Sequence, residues 1–162
     1  MVDLPEMQLK ELILQKGLTL ATAESCTGGL LSHRITEIAG SSAYFLGGVT
    51  AYAYEAKEQL LQVKHDTLVN YGAVSEETVL EMANGVRKVL SADIGVSVSG
   101  IAGPGGGLPN KPVGTVWFGV SAAEQSWAKV FHFQGNRSGI KQQSASAAML
   151  AVINYLKVGQ PW

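Results

Sequence analysis

Thr22-Ala23-Glu24-Ser25-Cys26-Thr27-Gly28-Gly29-Leu30 lies where a short apolar run, residues 18–23, gives way to a segment with Leu30, Leu31, Ile35 and Ile38 at helical spacing. The first run has the length of a buried strand and the second the period of an amphipathic helix, so the polar turn joins a strand end to a helix start. The first turn of a helix has N–H groups without internal partners and carries partial positive charge, which stabilises an anion or a developing oxyanion. Ser25 or Thr27 can supply a nucleophilic hydroxyl beside that charge, while Gly28 and Gly29 let a ligand approach the backbone. The same residue types also cap helices and fill ordinary turns, and on pattern alone the two readings stand level.

Toward the amino end, Pro5 followed by Met7, Leu9, Leu12 and Ile13 predicts a first helix with proline in its opening turn and Gly17 past its end. In the other direction, the helix after the turn runs to about Ala39 and stops at Gly40. Residues 43–53 read as a strand interrupted at Gly47-Gly48 by a bulge or a close backbone approach. Residues 54–63 turn helical, which puts Tyr52 at the strand end and Lys57 in the early turns of the helix. A short irregular or helical connection, 64–72, precedes a long helix opened by Ser75-Glu76-Glu77-Thr78, and residues 93–99 form a short apolar strand placed centrally. Residues 100–112 are loop-like, 113–121 and 127–133 form an antiparallel hairpin, and a helix from 137 to 156 closes the fold.

This order predicts one domain, residues 1–162, built as a three-layer α/β/α sandwich around a mixed, mostly parallel sheet. Ligands of such sheets lie beyond the carboxyl ends of parallel strands, and the Ser25 turn, Tyr52 and the Gly103 loop all follow strands. They therefore converge on one sheet edge if those strands are parallel.

Charge and composition narrow the partners. The chain of 162 residues has a formal net charge of −1 and no basic stripe, so the footprint of a nucleic-acid binder is missing. Its single cysteine, Cys26, excludes an internal disulfide and a thiolate-rich zinc site. His33, His65 and His132 have no paired-ligand spacing, so no metal is expected. Residues 1–16 show an amphipathic pattern instead of a leader, and no apolar run is long enough to span a bilayer, which leads us to expect a cytoplasmic protein without a membrane partner. A chain so rich in small apolar residues is expected to be a homo-oligomer, most simply a dimer.

Residue types bear on several chemistries. The Gly103 loop does not match the dinucleotide fingerprint and is followed by a strand, and no phosphate-cradling loop ends in Lys and Ser or Thr, so neither a dinucleotide cofactor nor ATP hydrolysis by the usual phosphate cradle is expected. Ser138-Gly139-Ile140-Lys141 has the Ser-x-x-Lys spacing of penicillin-recognising enzymes without their other motifs. Cys26 reads either as an attacking thiol at a helix start or as a buried apolar residue. A serine nucleophile needs a base, and a desolvated lysine can serve; yet by base rates Tyr52 reads as a strand packing residue and Lys57 as a solvated one.

Four ordered blocks change that balance. Glu24-Ser25-Cys26-Thr27-Gly28-Gly29 forms the first, and Gly47-Gly48-Val49 with Tyr52, Glu55-Ala56-Lys57 and Leu60-Leu61 the second. Gly72-Ala73-Val74-Ser75-Glu76 is the third, and Ser99-Gly100-Ile101-Ala102-Gly103-Pro104 with Lys111-Pro112-Val113-Gly114 the fourth. Together they resemble the CinA C-terminal domain family over nearly the whole chain. Stand-alone members of that family include amidohydrolases that convert nicotinamide mononucleotide to nicotinate mononucleotide and ammonia without a metal or other cofactor. The resemblance implies Ser25 as nucleophile, with Tyr52 and Lys57 as proton-transfer partners. The substrate site is then expected among Glu24, Cys26, Thr27, Gly28, Gly29, Gly48, Gly103, Gly105, Gly106 and Arg137; the substrate's phosphate needs N–H donors or a cation, for which the loop from Gly103 to Gly107, Thr27 and Arg137 are our candidates. The chain departs from the family pattern at Ala53-Tyr54, Leu108, Asn136 and Lys141. Two other readings stay open: a catalytically silent nucleotide-binding or assembly module, and hydrolysis of a different amide.

Overall fold

A computed structural model describes residues 4–162; Met1, Val2 and Asp3, the start of the amphipathic amino end, lie outside the described residues. Helix α1, Pro5–Lys16, carries its proline in the first turn and ends at Gly17, whose left-handed φ of 64° lets its N–H reach back to the Ile13 and Leu14 carbonyls. Strand β1, Leu20–Glu24, is followed by α2, Leu30–Thr36, a 3₁₀ turn at Ser41–Ala43 and β2, Phe45–Thr50. Helices α3, Tyr54–Leu61, and α4, His65–Tyr71, lead to α5, Glu76–Val89, which Ser75 caps by accepting the Thr78 N–H. Strands β3, Ile94–Gly100, β4, Thr115–Ser121, and β5, Ser126–His132, precede the closing helix α6, Arg137–Val158.

The sheet order is β2-β1-β3-β4-β5. Strand β1 pairs in parallel with β2 and β3, whereas β3–β4 and β4–β5 are antiparallel, so only β4 runs against the rest. The expected bulge is present: Leu20 pairs with Phe45 and Ala21 with Gly47, which leaves Leu46 as the extra residue. Helices α1, α2 and α6 cover one face and α3, α4 and α5 the other, giving the three layers.

Alternation along β1 sorts the two cores. Leu20 joins Leu9, Ile13, Leu31 and Ile35 on one face, while Ala21 and Ala23 join Leu61, Leu68, Met82 and Val86 on the other. On that second face α5 lies close to the sheet because β3 and β4 present glycines: a Cβ on Gly95 would stand 2.3 Å from the Ala83 carbonyl oxygen, and one on Gly119 2.4 Å from that of Val79. Helix α2 is shorter than its sequence period predicts. The Thr36 hydroxyl donates to the Ser32 and His33 carbonyls and Gly40 takes a left-handed φ of 85°, which ends the helix and turns the chain into β2.

Candidate active site

The parallel strands β2, β1 and β3 end on one sheet edge, and the Ser25 turn sits there between its neighbours. The Ser25 N–H donates to the Val98 carbonyl at 3.0 Å, and the Ala51 N–H donates to the Glu24 carbonyl at 2.9 Å. These bonds extend the ladders of β1 past its end and hold the nucleophile candidate rigidly. Ser25 is buried but reaches a cavity of about 270 Å³ lined by Cys26, Tyr52, Gly100, Ile101, Ala102, Gly103, Gly105, Gly106 and Arg137.

Lys57 stands behind Ser25. Its Nζ lies 2.9 Å from Ser25 Oγ and donates to the carbonyls of Ala51 at 2.8 Å and Tyr52 at 2.9 Å. This corrects the base-rate reading of Lys57 as solvated, since the side chain is fully buried at 0% exposure. The physical reason is local: side chains in a helix lean toward its amino end, and the amino end of α3 follows directly on the β2 edge. Among the described residues no carboxylate forms an ion pair with it. Burial lowers its pKa to about 8, the Cys26 side chain opposing this weakly.

The hydrogen bonds of Lys57 define a geometry. Two carbonyls, which can only accept, take two of its N–H groups; in the neutral amine the remaining position is a lone pair directed at the Ser25 hydroxyl. Such an arrangement can withdraw the serine proton and hold it as an ammonium with three satisfied donors.

Tyr52 does not join this pair through its phenol. Its ring is exposed, its backbone carbonyl meets Lys57, and its hydroxyl accepts from Arg137 Nη2 at 3.4 Å. Arg137, at the first position of α6, also donates from Nη1 to the Gly103 carbonyl at 2.8 Å, so it ties the glycine loop to Tyr52 across the cavity mouth. The Gly103-Pro104 peptide bond of that loop is cis.

Glu24, next to the serine in sequence, faces away from the cavity. Its fully buried carboxylate accepts from the Thr27 hydroxyl at 2.7 Å, the Leu31 N–H at 2.8 Å, and the Ser32 N–H and hydroxyl at 2.9 and 2.7 Å. It thereby takes the place of a helix cap: the N-cap residue of α2, Gly29, has no side chain to offer. Two expectations change as a result. The first-turn N–H groups of Leu31 and Ser32 are occupied by Glu24, and the Thr27 hydroxyl is spent on the same carboxylate. The next N–H groups along the chain from Ser25, those of Cys26 and Thr27, have no backbone acceptor among the described residues.

The remaining predicted residues sort by position. Gly48 packs behind the turn, where a Cβ would lie 2.3 Å from Ser32 Oγ and 2.4 Å from Thr22 Oγ1. Gly28 and Gly29 hold left-handed φ values of 60° and 102°, with Gly28 beside Lys141 Nζ. Cys26 is buried and its thiol is pushed up to about 11, chiefly by desolvation, which leaves it a poor nucleophile. Sequence reasoning missed Gly100, Ile101 and Ala102 as lining residues, although they fill the interval between the β3 end and Gly103. Among the described residues no helix is long and apolar enough to cross a membrane.

Known proteins share the sequence pattern and the fold. The CinA C-terminal domain matches residues 4–156. A CinA-like protein of Thermotoga neapolitana is 50% identical over 140 residues, covering 86% of this chain and 34% of that protein; the chain spans little more than a third of the curated relatives it matches. A CinA superfamily crystal structure from Klebsiella pneumoniae superposes with a TM-score of 0.91 at 36% identity, covering 94% of this chain and 96% of the other. A competence/damage inducible protein from Agrobacterium tumefaciens gives 0.87 at 37% identity over 95% and 99%. The chain belongs to the CinA C-terminal domain family.

Proposed function

We propose that the protein is a serine amidohydrolase that deamidates nicotinamide mononucleotide, with Lys57 as the base. The observation that carries this reading is the 2.9 Å contact between a fully buried lysine and a serine at a cavity wall. A lysine with no counter-ion and two carbonyl acceptors is arranged to shed and regain one proton, which is what amide hydrolysis requires of a base.

In the first half-reaction Ser25 Oγ attacks the carboxamide carbon while its proton passes to Lys57 Nζ. The N–H groups of Cys26 and Thr27 receive the developing oxyanion. The tetrahedral adduct collapses as the Lys57 ammonium returns the proton to the leaving nitrogen, giving ammonia and an acyl ester on Ser25. Water then attacks the ester, Lys57 takes its proton, and collapse restores the serine hydroxyl and releases the carboxylate.

The cavity beside Ser25, about 270 Å³, suits a ring with its carboxamide rather than a whole dinucleotide. Arg137 also lines an adjoining depression of about 390 Å³ with Leu30, Ser138, Lys141 and Gln142. Arg137 and Lys141, one helical turn apart, supply positive charge there for the phosphate of a mononucleotide. The test is ammonia release from nicotinamide mononucleotide by the purified protein in the presence of chelator, with Ser25→Ala alongside. Turnover by the wild type alone supports the reading, and release of ammonia by both proteins or by neither sinks it.

A further inference from the structure

A cavity of about 590 Å³, larger than either depression beside Ser25, has no part in the site above. Its walls are the end of α3 at Leu61 and Gln62, Lys64, one side of α5 and the β4–β5 turn. It lies at the opposite sheet edge: Ser121, at the end of β4, pairs with Gly95 near the start of β3, whereas Ser25 bonds to Val98.

Hydrogen bonding polarises this cavity in one sense. Arg87 Nε can only donate, and it donates to Ser121 Oγ at 2.9 Å, so the proton of that buried hydroxyl turns to Asn84 Oδ1 at 2.6 Å. Ser126 Oγ donates to the same Asn84 oxygen at 2.9 Å. With both lone pairs of Asn84 Oδ1 engaged, the amide orientation is fixed. Its Nδ2, which has no partner among the described residues, is a donor left for a ligand.

The terminal nitrogens of Arg87 likewise lack an acceptor among the described residues, and neither Lys64 nor Lys88 forms an ion pair there. The negative charge of Glu81 remains, but its oxygens are occupied by the Lys64 N–H and the Thr67 hydroxyl, both at 2.7 Å. Glu124 is an exposed rim residue on the turn. The walls thus offer a guanidinium, two ammonium groups and an oriented amide donor, three positive charges against the engaged carboxylate of Glu81 and that of Glu124 on the rim. That donor set matches a compact dianion and repels a cation.

We propose that this cavity is a second ligand site, which takes the phosphoryl group of a small metabolite independently of the Ser25 cavity. The test is calorimetric titration of the whole protein with inorganic pyrophosphate at low ionic strength. It compares wild type, Asn84→Asp, the double variant Lys64→Gln/Lys88→Gln, and Arg137→Gln. Asn84→Asp keeps an acceptor for both serine hydroxyls while replacing the donor by a negative charge, and the two lysines are exposed, so neither change disturbs the core.

The expected result is saturable binding to wild type and Arg137→Gln alike, weakened about tenfold or more by Asn84→Asp and by the double lysine variant. Binding that survives in Asn84→Asp and disappears in Arg137→Gln would place the anion beside Ser25 and overturn the proposal. So would the absence of saturable binding to wild type. Should Asn84→Asp fail to fold, the double lysine variant decides alone.

Discussion

Lys57 Nζ and Ser25 Oγ, 32 residues apart in the chain, lie 2.9 Å from each other in the interior, with the lysine's other contacts made to main-chain carbonyls. Because burial disfavours the ammonium form, Lys57 is neutral above a pH of about 8 and protonated below it, which bears on its proposed role as base. Activity therefore requires the deprotonated side of that titration. We expect kcat/KM for amide hydrolysis to fall by about tenfold per pH unit below the pKa and to level off above it. A profile flat from pH 6 to 9, or one falling with rising pH in that range, would argue against Lys57 as base.

Lys57→Arg keeps the charge but cannot give up its proton, and Lys57→Met removes the base with similar length. Both are expected to lower kcat by about 10³-fold or more. Combined with Ser25→Ala, neither should reduce activity much further, since the two groups act as one unit. Steady-state rates of the single and double variants measure this directly.

Tyr52→Phe separates two assignments of the phenol. Its hydroxyl contacts Arg137 and makes no hydrogen bond with Lys57 or Ser25, so its loss is expected to raise KM a few-fold and leave kcat within about threefold. A fall in kcat of about a hundredfold would restore Tyr52 to the proton path.

Glu24→Gln places an amide donor among four donors, the Thr27 and Ser32 hydroxyls and the Leu31 and Ser32 N–H groups. The buried mismatch is expected to cost about 1–3 kcal/mol of stability. A chemical denaturation curve reads that loss, and an unchanged midpoint would mean that the hydroxyls turn to accept.

Gly85→Ala tests the coupling of packing to the site. A Cβ at Gly85 would fall 1.9 Å from the Leu61 carbonyl oxygen, so α3 must move off α5. Lys57 lies one turn earlier on α3, and we expect activity to fall by more than the fraction unfolded accounts for. Circular dichroism and rate measured on the same sample distinguish the two losses.

Much of the architecture was legible because apolar periodicity reports it. Helix α1, with Pro5 and Gly17 at its ends, the bulge at Gly47 and the hairpin after residue 113 follow from residue types that allow few alternatives. The partner of Ser25 was less legible. Nothing in the local pattern of Tyr54-Glu55-Ala56-Lys57-Glu58 marks Lys57 as buried: its carbonyl partners at Ala51 and Tyr52 are near in the chain, but the Ser25 turn that completes its surroundings is 32 residues away.

The separation of Glu24 from Ser25 was legible in the sequence. Strand alternation puts Leu20, Thr22 and Glu24 on the face covered by α2, and Ala21, Ala23 and Ser25 on the face covered by α3. Carrying period two one residue past the strand separates the capping carboxylate from the Ser25 hydroxyl, and turns Ser25 toward the helix that bears Lys57. Arg137 lines the cavity, but its bridge to Tyr52 depends on how α6 returns over the sheet, which no sequence period encodes.

The three oxygens around Lys57 Nζ set a tolerance on chain length. Two of them belong to Ala51 and Tyr52, so the lysine closes a ring with its own backbone only six and five residues earlier. One residue inserted between Tyr52 and Lys57 would turn the side chain roughly 100° about the axis of α3 and point it out of the interior. Residues 51–57 run partly over the surface, where most loops accept insertions and deletions freely; here the spacing itself is fixed, and length variants of this segment are expected to fold with Lys57 out of reach of Ser25.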